Sequence, residues 1–109
     1  MHINPSKALA ILADTGNSFT TLFQHGTMSV EVYRPEGIDL QQPHEQDEIY
    51  IIISGTGIFY NDGERTDFSA GDLLFVKAGK EHRFEDFSED FSTWVIFYGP
   101  KGGESEEGK

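Results

Sequence analysis

The sequence predicts a single all-β domain preceded by one short helix. Three observations point there. A length of 109 residues fits one domain. Glycines at 26, 37, 55, 57, 63, 71 and 79 separate short β-branched or aromatic runs. Helical periodicity appears once, at the N-terminus, and does not return. Eight short strands with no room for crossover helices make a sandwich, a jelly roll or a small barrel.

The elements follow in order. Asn4 reads as an N-cap and Pro5 as the first helical residue. Ala8, Leu9, Ile11 and Leu12 supply an apolar face, and Thr15-Gly16 a stop, so a helix is expected over about 5–13. Strands are expected near 18–24, 27–33, 48–54, 57–61, 65–68, 73–76, 82–85 and 93–98. His25-Gly26 and Asp62-Gly63 sit where two-residue hairpin turns need positive φ, which makes His25 a turn residue. The domain is read as 1–100. Residues 101–109, rich in Gly, Glu and Lys without an apolar anchor, read as a flexible acidic tail.

Two strands are apolar on both faces. Side chains alternate across a strand, so Glu48, Tyr50 and Ile52 oppose Ile49, Ile51 and Ile53, and Thr93, Val95 and Phe97 oppose Trp94, Ile96 and Tyr98. One interior cannot absorb both sets. The helix, a second sheet or a partner subunit must cover the outer face, and a homodimer is expected.

Composition narrows the function. Nine Phe and 37% hydrophobic residues suffice for a core. The absence of cysteine removes disulfides, thiolate zinc sites, iron–sulfur clusters and cysteine nucleophiles, so any metal must be held by His, carboxylate or amide groups. A net charge of −11 repels phosphate backbones and anionic lipid, which argues against nucleic-acid and membrane partners. The longest apolar run, from Ala8 to Ala13, is too short for a signal-peptide core or a bilayer span, and a cytoplasmic protein is expected. No nucleophile triad or phosphate-cradling loop is present.

Two stretches carry chemistry. In Gln42-Pro43-His44-Glu45-Gln46-Asp47-Glu48, the residues Gln42, His44 and Glu48 share parity, and Pro43 holds Gln42 extended. Asp47 has the opposite parity and joins only if a bulge shifts the register. In the second stretch, Ala78-Gly79 makes a turn and His82 opens a strand facing the same way as Phe84. Tyr50, Ile52 and Phe84 share the inward parity and are expected as cavity walls, more as core residues than as readers of a substrate. The acidic group Glu81, Glu85, Asp86, Glu89 and Asp90 reads as a solvated face.

With these spacings the sequence resembles the small single-domain cupins. Their first motif runs Gly, five residues, His-x-His, three or four residues, Glu, six residues, Gly. Here it is Gly37, four residues, Gln42-x-His44, three residues, Glu48, six residues, Gly55. Their second motif runs Gly, five residues, Pro-x-Gly, two residues, His, three residues, Asn. Here it is Gly71, five residues, Lys77-x-Gly79, two residues, His82, three residues, Asp86. Gln42, Lys77 and Asp86 depart from the pattern, the first of them at a metal-ligand position.

The resemblance implies a jelly-roll β-barrel holding one divalent transition metal ion through His44, Glu48 and His82, with Gln42 as fourth ligand or outer support. Iron, manganese, nickel and zinc all suit two imidazoles and a carboxylate. A buried ionised Glu48 would cost several kcal/mol without a counter-charge, which a divalent ion supplies, as could Lys77 or, less readily because its parity opposes that of His82, Arg83. The implied partner is a small-molecule ligand or substrate. The implied function is a metal-dependent dioxygenase or isomerase-like enzyme, with a non-catalytic ligand-binding cupin and a metal-free barrel as the alternatives.

Overall fold

The computed structural model describes residues 1–105. The Asn4 side chain accepts the Lys7 N–H at 2.9 Å and so caps α1 (Pro5–Thr15), with Pro5 in its first turn. The helix runs two residues beyond expectation. The Thr15 hydroxyl donates to the Leu12 carbonyl at 2.6 Å, and Gly16, at φ 72°, closes the last turn onto Ala13.

The eight strands are β1 (Phe19–His25), β2 (Met28–Tyr33), β3 (Asp47–Ser54), β4 (Thr56–Asn61), β5 (Glu64–Ser69), β6 (Leu73–Val76), β7 (His82–Glu85) and β8 (Ser92–Tyr98). They form two antiparallel sheets, β1-β2-β8-β3-β6 and β5-β4-β7, facing each other as a jelly-roll barrel. Asp62 and Gly63 form the β4–β5 turn, both at positive φ. The β1–β2 turn lies one residue later than expected. His25 still pairs with Met28, so Gly26-Thr27 makes the turn and only Gly26 has positive φ.

Inward residues of both sheets build one aromatic-rich core. Tyr33, Tyr50, Ile52, Val76 and Val95 come from the larger sheet, Phe59, Phe68 and Phe84 from the smaller, and Phe91 from the connection before β8. Tyr50 and Phe84 meet edge to face with centroids 4.8 Å apart. This packing leaves no room for a side chain at Gly55, where a Cβ would lie 2.6 Å from the Phe91 Cα, or at Gly57, wedged against the Phe68 ring and the Phe87 backbone.

The two-faced strands are resolved in part by the helix. Ala8 and Leu12 pack on Val32, with Ile53 and Trp94 at the margin of the same cluster. The other end of the outer face stays open. Ile49 pairs with Phe75 and Ile51 with Leu73, and Leu73 and Phe75 remain 63% and 47% exposed.

The segment after Pro100, read from sequence as a free tail, is tied down through Glu104. The Gly102 N–H donates to the Glu45 carbonyl at 2.7 Å and the Glu104 N–H to Asp47 Oδ2 at 2.9 Å. The anchor is polar, which an inspection for apolar residues does not find. Residues 106–109 lie outside the described residues. Among the described residues no helix is long and apolar enough to cross a membrane.

Candidate metal centre

Two chain segments are stapled together before any site exists. The loop between β6 and β7 turns at Gly79, whose positive φ of 81° suits glycine, and the Gly79 N–H donates to the His44 carbonyl at 2.7 Å. Asp47, buried at the start of β3, adds a second staple by accepting the Ala78 N–H at 3.0 Å. Asp47 is thus a structural clamp and stands outside the ligand cluster. Its two oxygens are occupied by the backbones of residues 78 and 104.

His44, Glu48 and His82 are brought together, each offering one atom within 4.8 Å of the others. Glu48 projects inward from β3 and is 1% exposed. His82 opens β7 with its Nδ1 2.9 Å from the Lys80 carbonyl. A carbonyl only accepts, so Nδ1 carries the proton and Nε2 is left with a lone pair. That Nε2 lies 3.1 Å from Glu48 Oε1. The contact is close in distance but misaligned as a hydrogen bond, and His44 Nε2, His82 Nε2 and both Glu48 oxygens are buried without a hydrogen-bond partner. The His44 ring is held edge-on to Phe97, centroids 4.8 Å apart.

Four converging buried atoms with no partner would each cost about 1–3 kcal/mol. One cation turns that deficit into a set of ligands, and two ligands held about 2.1 Å from an ion sit roughly 3 Å apart, matching the His82–Glu48 spacing. The donor set therefore fits a divalent metal. Arg83 does not neutralise Glu48, because its guanidinium pairs with Glu85 at 2.7 Å and Glu81 at 2.9 Å on the outside of the barrel.

Gln42 does not join the cluster. Its side chain is exposed, and the inward amide is that of Gln41. The parity argument assumed an extended chain, but residues 34–46 form an irregular loop in which alternation does not hold. Asp39 organises that loop, and nothing in the sequence reading singled it out. Only 6% exposed, its carboxylate accepts the Tyr33 hydroxyl at 2.6 Å, the Phe84 N–H at 2.8 Å and the Gln41 side-chain amide at 2.9 Å. The Gln41 carbonyl oxygen in turn accepts the Tyr50 hydroxyl at 2.9 Å. A lone acid between Ile38 and Leu40, just before a glutamine-rich turn, was the available signal.

Burial lowers the His44 pKa despite the nearby Glu48 charge. At His82 burial works the same way, but contact with Glu48, the Lys80 carbonyl and the charges of Glu48 and Asp39 outweigh it, and the pKa rises. Burial, then the neighbouring Glu48 charge, push the Tyr50 phenol well above its ordinary value, so it stays protonated.

Tyr50, Ile52 and Phe84, expected as cavity walls, are packed core at 0%, 2% and 2% exposure. The open cavity, about 720 Å³, lies at the mouth of the barrel and reaches His44 from Glu31, Tyr33, Gln41, Val95 and Phe97.

Comparison with known proteins accords with this architecture. A family model described as a cupin domain matches residues 29–97. An uncharacterized protein of Streptomyces coelicolor is 32% identical over 91 residues, covering 82% of this chain and 87% of its own. An oxalate-binding protein of Thermotoga maritima is 33% identical over 49 residues, 45% of this chain and 40% of that one. Among solved structures, a cupin 2 conserved barrel domain protein from Salinispora arenicola superposes with a TM-score of 0.66 at 19% identity, covering 91% of this chain and 89% of that chain.

Proposed function

Because the chain belongs to the cupin domain family, we propose that it holds one divalent transition metal ion through His44, Glu48 and His82 and presents that ion to a small-molecule ligand. The observation that carries this reading is the convergence of buried imidazole and carboxylate atoms that lack any other partner. When bound, such an ion supplies Lewis acidity and open positions for water, dioxygen or ligand. That chemistry would serve a dioxygenase or isomerase-like enzyme, and it would equally serve a non-catalytic ligand-binding cupin. The chain's own residues do the rest. Phe97 orients His44, the Lys80 carbonyl fixes the tautomer of His82, and Tyr50 keeps its proton beside Glu48.

The name of the Thermotoga maritima relative makes oxalate a comparison compound for ligand assays. Oxygen uptake and ligand turnover by the metal-loaded protein test catalysis. A metal-loaded chain that binds a ligand and leaves it unchanged is a binding protein.

Metal retention should depend on pH in a defined direction. Both imidazoles must be neutral to ligate. His82, whose pKa is raised, takes a proton first as pH falls, while His44, whose pKa is lowered, stays neutral longest. Metal content measured after dialysis should therefore be full at pH 8 and should fall as pH drops below about 6. Unchanged stoichiometry at pH 4.5 would exclude this ligand set.

A second copy of the chain is proposed to cover the outer sheet face left open by the helix, where Leu73 and Phe75 lie beside Ile49 and Ile51. Sedimentation at micromolar concentration should give a dimer, and Leu73→Glu with Phe75→Glu should give a folded monomer. A monomeric parent protein would remove the proposal.

A further inference from the structure

The cavity beside His44 carries charge of one sign. Its lining includes Glu31 and Glu36, and among the described residues no lysine or arginine borders it. Glu31 stands on β2 opposite Val95, on the face that looks into the barrel, and its carboxylate accepts the Thr21 hydroxyl at a long 3.5 Å. No cation among the described residues pairs with it. Burial and then the Glu48 charge raise its pKa, as expected for a carboxylate lacking a positive partner.

Asp39 lies just behind the same wall and its charge is felt at both histidines. Glu31, Glu36, Asp39 and Glu48 together outweigh the charge of any divalent ion at the centre, so the cavity remains negative when loaded. The apolar part of the wall is formed by Phe19, Ile38 and Leu40 on the outside and Val95 and Phe97 within, while the other polar groups that line it, among them Asn17, Ser18 and Gln41, carry no charge.

From this arrangement we infer that the cavity takes a small molecule with an apolar body and a protonated amine, the amine seated on Glu31 and the body against Phe19, Leu40 and Phe97. Small dicarboxylates are disfavoured, because they would face several carboxylates with no guanidinium or ammonium to receive them. The inference rests on the proposed metal centre only for what happens near the ion. The contact with Glu31 does not need the metal.

The test compares phenethylamine, 3-phenylpropionate and oxalate by amide-shift titration of the ¹⁵N-labelled chain, once after chelation and once loaded with zinc. The amine should shift Phe19, Glu31 and Leu40 and bind about tenfold more tightly than 3-phenylpropionate in both states, and Glu31→Gln should erase that preference. Tighter binding of either acid at these residues in the metal-free chain, an unchanged preference in Glu31→Gln, or no shift with the amine at millimolar concentration would overturn it. Failure of zinc to bind would count against the metal centre alone, since the metal-free titration reads the Glu31 contact independently.

Discussion

Replacing His82 with alanine is expected to abolish divalent-metal uptake, by at least about a hundredfold in affinity, while leaving the barrel folded. The imidazole is one of the three groups that converge on the site, and its loss leaves His44 and Glu48 as a two-ligand set. The fold is expected to survive because the strand pair that carries His82 is held by its own apolar packing of Phe84 and Phe59. Elemental analysis of untagged protein, paired with a thermal melt, reads both outcomes. The informative control is Gln42→Ala, which should keep parental metal content because that side chain faces solvent. Normal metal content in His82→Ala would end the ligand assignment.

Asp39→Ala should be the most destabilising change in the loop that delivers His44, at about 4 kcal/mol. The substitution strips partners from the Tyr33 hydroxyl, the Phe84 N–H and the Gln41 amide together, all of them in or beside the core. For a domain of this size the melting temperature should fall by roughly 20 °C. Asp39→Asn should lose less, since an amide oxygen still accepts some of these bonds. A shift of Asp39→Ala within 1 kcal/mol of the parent would mean that the loop is held by something other than this carboxylate.

The sequence was legible where local rules decide structure. Strand positions followed from alternation and glycine punctuation, and Asn4, Pro5 and Gly16 bounded the helix because capping is a local matter. Glu48 and His82 were readable for the same reason. Each lies in or opens a regular strand, where parity fixes direction. Gln42 was misplaced because parity has no meaning in a loop whose course is set by a buried carboxylate forty-five residues from its partner at Phe84. Asp39 and the Asp47 clamp were hard to read for a related reason. Asp47 is held by the backbone N–H groups of residues 78 and 104, which no residue type marks, and Asp39 joins Tyr33 and Gln41 to the distant Phe84 backbone, a pairing that local spacing does not reveal.

A manganese-soaked crystal of the untagged chain at pH 8 puts the central claim to its most direct test. The anomalous difference map should show one strong peak within coordination distance of His44 Nε2, the Glu48 carboxylate and His82 Nε2. A map with no peak there, or with peaks only at acidic groups on the outer surface, would contradict a metal centre built from these two converging segments.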